Sequence, residues 1–120
     1  MKTITLSGPD GRKFRFKCED LINGVPINPV LPPKFDSTPN EARSDRSRAW
    51  WCVPFVIVYH DNDPKFVAHW KGNTRFDVRC LDGGAWDRST VWGMFGTLNA
   101  AVALAAVWRR PIWMIPSSFG

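Results

Sequence analysis

The sequence is poor in the residues that most often carry chemistry. It has two histidines, His60 and His69, and three cysteines, Cys18, Cys52 and Cys80. The cysteines lie far apart with no C-x-x-C pair, each inside an apolar strand-like run. That pattern reads as buried, reduced thiols rather than a disulfide framework or a zinc site. No apolar stretch can span a bilayer, since the longest, Ala100 to Trp108, is too short. The N-terminus "MKTITLSGPDG" has no apolar h-region, so no secretory signal is expected. The glycine-rich "LDGGAWDRST" lacks the Gly-Lys-Ser/Thr ending of a phosphate loop. A nucleophilic site needs Cys or Ser beside His and an orienting group, whereas Cys52 and His60 share one alternation of a strand too far apart to touch. Paired catalytic carboxylates are not evident. The expectation is a cytoplasmic protein, not an enzyme, with no cofactor and no membrane association.

Acidic side chains are also in deficit. Asp and Glu number 11 against 16 Lys and Arg, a net charge of +5, and a small basic protein is drawn to phosphate-rich or acidic partners. What is abundant is large apolar surface. Of 120 residues 44% are hydrophobic, with seven Trp and eight Phe, enough for a core without metal or disulfide support. The length fits one domain, 1–120.

Residues 2–18 read as a hairpin. Ile4 and Leu6 alternate with hydroxyls, Phe14, Phe16 and Cys18 alternate with Lys13, Arg15 and Lys17, and "GPDG" supplies the turn. Residues 19–49 hold five of the ten prolines and read as an irregular Pro-rich excursion. Within it Glu19 to Asn23 is expected to form a helical turn ended by Gly24. A short helix is expected after Ser37 or Thr38, with Pro39 at its first position. Residues 50–59, "WWCVPFVIVY", are apolar on both alternations, as in a strand covered on both sides, with Pro54 marking an edge or a bulge. Residues 65–71 and 75–81 read as two further strands of an antiparallel meander. "TLNAAVALAAVWRR" reads as a helix capped by Thr97 and stopped by Pro111, with Arg109 and Arg110 suiting its C-terminal end. Apart from Asn99 it is apolar all round, so it is widely covered or presents a face for a homodimer. The tail "IWMIPSSFG" reads as one more short strand or an apolar flap. The fold class is α+β: an antiparallel sheet of four to six strands, N-terminal hairpin plus meander, with one Ala-rich C-terminal helix packed on it.

The stretch "RCLDGGAWDRSTVWGMF" joins meander to helix. Its two glycines permit a hard turn, and Trp86, Asp87, Arg88 and Trp92 offer aromatic and charged groups of the kind found at binding hot spots. Arg43, Arg46 and Arg48, with the adjacent Trp50, make a basic patch. A second set, Lys13, Arg15, Lys17, Lys65, His69, Lys71, Arg75 and Arg79, falls on outward alternations and would form a positive sheet face. Phe14, Phe16, Trp70 and Phe76 point the other way, so the face lacks a platform for stacking bases. Like charges side by side repel, which requires either interspersed acids such as Asp77 or an anionic partner. His60, Asp61 and Asp63, in "HDNDP", are the best metal-like grouping, and a hydrolase or nuclease would use them; Asn, Asp and Pro are equally what a tight turn needs.

The sequence "FDVRCLDGG", the aromatic loop "WDRSTVWGMF" and then "TLNAAVALAAV" resemble the ending of small phage or mobile-element proteins, some of them anti-CRISPR inhibitors. The resemblance covers roughly residues 50–108 and carries over no functional residue. It implies a stoichiometric, non-enzymatic binder that blocks a bacterial protein or nucleoprotein complex by steric occlusion. The contacts expected on that reading are Arg43, Arg46, Arg48, Trp50, Trp86, Asp87, Arg88 and Trp92. The alternative is a nucleic-acid or nucleotide binder using Lys13, Arg15, Lys17, Lys65, Lys71, Arg75 and Arg79.

Overall fold

The computed structural model describes residues 1–30, 42, 44–51, 53–81 and 90–107. Strand β1 (Lys2–Ser7) pairs antiparallel with β2 (Lys13–Ile22), Ile4 facing Phe16 and Leu6 facing Phe14. Gly8 to Gly11 form the expected turn, closed by the Gly11 amide on the Gly8 carbonyl at 3.0 Å, with Gly11 at φ +84°. A Cβ on Gly8 would sit 2.8 Å from the Phe14 ring and 3.3 Å from the Asp45 carbonyl, so only glycine lets the next layer come this close.

The expected helical turn at Glu19 to Asn23 is instead the end of β2, followed by a two-residue hairpin into β3 (Val25–Pro29). Asn23 and Gly24 both have positive φ, the geometry that an Asn-Gly hairpin favours because its twist matches the strands. The first part of the Pro-rich excursion is thus sheet. β3 then meets β4 (Phe55–His60) in parallel, through Ile27 and Val56. Asn28, at φ +45°, leaves the ladder, and its side-chain oxygen accepts the Val58 amide at 2.8 Å. The sheet is therefore mixed, with one parallel contact in a mostly antiparallel order β1-β2-β3-β4-β5-β6. Pro54 is neither at an edge nor in a bulge; it lies just before a central strand, where its missing N–H interrupts no ladder.

Residues 65–71, expected as a strand, form helix α2 (Pro64–Trp70). The Asp63 carboxylate accepts the Lys65 amide at 2.9 Å, Pro64 takes the first position, and Lys71 closes the helix in left-handed geometry. The alternation of Phe66, Ala68 and Trp70 misled, because Phe66 and Trp70 are equally four apart and share a helical face. β4 then pairs directly with β5 (Thr74–Cys80), and β5 with β6 (Thr90–Phe95). The second half of the expected aromatic loop is thus an edge strand, irregular opposite Val78 and Arg79.

Helix α1 (Asp45–Arg48) is a single turn capped by Ser44, so the expected start at Ser37 or Thr38 lies outside the described residues. Helix α3 (Leu98–Val107) begins as expected: the Thr97 hydroxyl accepts the Ala100 amide at 3.2 Å. The expected contribution of Arg109, Arg110 and Pro111, and the tail, lie outside the described residues.

Two apolar clusters sit on opposite faces of β4. Even-numbered Val56 and Val58 pack with Val25, Ile27, Val78 and the buried side of α3, Ala101, Val102 and Ala105. Odd-numbered Phe55 and Ile57 pack with Trp50, Leu81 and the hairpin residues Ile4, Leu6 and Phe16. In β2, Phe16 serves one cluster and Ile22 the other, although both are on one alternation. The strand's twist carries that face round. The outward side of α3 is mostly alanine, which answers how a helix apolar all round tolerates water.

A candidate anion-binding groove

β2 alternates cleanly over its first half. Phe16 and Cys18 are buried while Lys13, Arg15 and Lys17 are exposed. α1 lies beside this strand and is tied to the hairpin turn by Arg12. The Arg12 guanidinium bridges the carboxylates of Asp10 and Asp45, each at 2.6 Å. Arg46, the next residue in α1, donates to the Arg15 carbonyl at 2.7 Å, and its guanidinium carbon lies 4.4 Å from the centre of the Phe16 ring. Arg46 is thereby oriented by an aromatic face and a neutral carbonyl, and among the described residues no carboxylate reaches it. A groove of about 450 Å³ opens here, lined by Thr3, Arg15, Phe16, Lys17, Val30 and Arg46.

None of these lining residues is acidic. Among the described residues, the acidic side chains of the hairpin and α1 are engaged elsewhere: Asp20 with Lys2 at 2.8 Å, Asp10 and Asp45 with Arg12, and Glu19 with the Asn28 amide. The Arg12 backbone N–H holds the Asp10 carboxyl below its ordinary range, with the guanidinium adding to the effect, and the Lys2 ammonium does the same to Asp20. These carboxylates are already engaged. Arg15, Lys17 and Arg46 are left as a concave, positive surface around a partly apolar floor.

Arg75 has the opposite fate. It was expected on an outward positive face, yet its guanidinium makes two hydrogen bonds to Asp77, at 2.6 and 2.9 Å, with Asp77 only 3% exposed. Those bonds push Arg75 further above its ordinary pKa. The same guanidinium lies over Tyr59, Phe66 and Trp70, at 4.6, 5.7 and 6.0 Å from their centres. This pins α2 to the sheet on the face opposite α3. Lys65 and Lys71 belong to that helix and its cap, and His69 rests against the Trp70 ring, so they add nothing to a sheet stripe. Arg79 is half-buried in β5. The broad positive face therefore does not assemble, and its surviving part is the β2 row joined by Arg46.

Trp50 was expected as a surface anchor, but it is fully buried between the rings of Phe16 and Phe55, at 5.1 and 5.7 Å. Among the described residues its indole N–H meets no hydrogen-bond partner, and ring packing surrounds it. Trp92 is half-buried against the α3 cluster, and Arg48 is exposed on α1. Arg43, Trp86, Asp87 and Arg88 lie outside the described residues. His60 bonds Thr74, Asp61 accepts the Asp63 amide and Asp63 caps α2, so these three groups build a turn. Among the described residues no group of three His, Cys, Asp or Glu side chains is placed to hold a metal ion, and no helix is long and apolar enough to cross a membrane.

Sequence reasoning missed Phe16 as the support of Arg46, and missed Thr3 and Val30 as walls. Arg15 and Arg46 are 31 residues apart, and nothing in the local pattern announces that they meet. No protein-family model, characterised protein or solved structure matches this chain.

Proposed function

We propose that this protein is a non-enzymatic binding module that holds a phosphate-bearing partner, a nucleic-acid strand, in the groove between β2 and α1. One observation carries the reading: among the described residues Arg15, Lys17 and Arg46 line one groove with no acid beside them, while the described carboxylates of the hairpin and α1 are already paired. Like charges brought together this way are relieved by an anionic ligand. Lys13, one alternation further along β2, extends the row. Cys18 and Cys80 are buried thiols, which suits a reducing cytoplasm. The reaction class is binding alone. A phage-encoded inhibitor of a nucleic-acid-handling complex is the form of this function in which the same groove meets an acidic protein surface instead.

The test is a pull-down from bacterial lysate, with and without nuclease, paired with salt titration of nucleic-acid binding. Nucleic acid is retained, and neutralising Lys13, Arg15 and Lys17 together lowers the slope of log affinity against log salt by about 2 for a single strand. A defined protein complex kept after nuclease, with no salt-dependent nucleic-acid binding, replaces this reading by the inhibitor one.

A further inference from the structure

Within that reading, on which this inference rests, we infer that the groove selects single strands over duplexes, with Arg46 as the surface on which an unpaired base stacks. The sheet face has no exposed aromatic platform, because Phe14 and Phe16 turn inward. The structure supplies a substitute. The Arg46 guanidinium lies over the Phe16 ring, and Arg46 is itself exposed and lines the groove, so its second face is where a base would stack. A guanidinium plane stacks bases as an aromatic ring does, and its charge adds a cation–π attraction. The hydrogen bond to the Arg15 carbonyl fixes the guanidinium before any ligand arrives, which reduces the ordering cost of binding.

The rest of the groove fits the remaining parts of a nucleotide. Arg15 and Lys17 are two residues apart on one strand face, about 7 Å, so they reach successive phosphates of an extended chain. Val30 and the exposed edge at Thr3 give an apolar wall and a hydroxyl beside them. Entry requires a base that leaves its partner and turns into a concavity of about 450 Å³. An unpaired strand does this freely, whereas a duplex presents only its outer phosphates and pays for unstacking before a base can enter. The phosphates contribute salt-dependent affinity to either form, and the stacked base contributes only to the single strand.

The experiment is fluorescence anisotropy on the full chain. Four probes share one sequence: a labelled DNA strand, its duplex, the same strand with abasic sites, and the RNA strand. The DNA or RNA single strand binds about tenfold tighter than the duplex, and the abasic strand falls to the duplex level. Arg46→Lys keeps the charge but loses the planar surface, so it removes the single-strand preference and leaves the salt slope unchanged. Equal affinity for strand and duplex, or an abasic strand that binds as well as the intact one, overturns the stacking inference while salt-dependent polyanion binding stands. Absence of salt-dependent binding to every probe overturns both. The abasic arm needs no variant, so it decides even if Arg46→Lys disturbs α1.

Discussion

Arg75 and Arg46 are the same residue type placed on aromatic rings, and the contrast between them separates architecture from function in this molecule. Arg75 sits among Tyr59, Phe66 and Trp70 with a buried carboxylate, Asp77, gripping it through two hydrogen bonds. Its charge is neutralised inside the fold, and its work is to fasten α2 to β5. Arg46 sits on Phe16, with a carbonyl oxygen as its partner among the described residues, at the rim of an open groove. No described carboxylate meets its charge. A cation over an aromatic ring is thus not itself a sign of a site; what distinguishes the two is the presence or absence of a matched acid.

The sharpest way to break the contrast is to remove the acid. Asp77→Asn leaves a half-buried guanidinium without its counter-charge and should cost about 3 kcal/mol of stability in chemical denaturation, with no change in nucleic-acid affinity per folded molecule. Arg46→Gln should do the reverse, costing under about 1 kcal/mol of stability while weakening binding. If both variants lost mainly stability, Arg46 would be a second structural pin and the groove would not be a site. A smaller effect is expected from Arg12→Ala, which releases α1 from the hairpin turn. Affinity should fall about twofold to fivefold, as for other exposed ion pairs, with the salt slope preserved because no phosphate contact is removed. A changed slope would mean that Arg12 itself touches the ligand.

The smallest effect concerns acid. Asp10 and Asp20 have folded-state pKa values below the ordinary 3.8, owing to Arg12 and Lys2 respectively. A depressed carboxyl stabilises the fold above its unfolded value and loses that contribution as pH drops through its folded value. Melting temperature should therefore hold down to the ordinary carboxylate pKa and decline below it. Asp10→Asn with Asp20→Asn should start lower and flatten that decline. An unchanged decline in the double variant would assign the acid sensitivity to other carboxylates.

Some of this was legible in the chain. The hairpin of β1 and β2, the two-sided strand β4, the alternation in β5 and the Thr97-capped helix all follow from local turn chemistry and hydrophobic period. The hairpin chemistry of Asn23-Gly24 was in the sequence too, but the prolines that follow it, Pro26 and Pro29, pointed to an irregular segment. α2 was not, because seven residues give too short a window to separate a period of two from one of three to four; its Asp63-Pro64 start was the better signal.

By itself the sequence determined the α+β class, the inward and outward residues of β2, and the surplus of positive charge, since these depend on neighbours within a turn or a strand. Tertiary structure alone decided what each charge meets. It brought Arg46 across 31 residues onto Phe16 and gave Arg75 a buried acid. It also sent Trp50 to the centre of a cluster. Whether a charged or aromatic side chain is buried, paired or left facing solvent depends on segments distant in the chain, and no local pattern encodes that meeting.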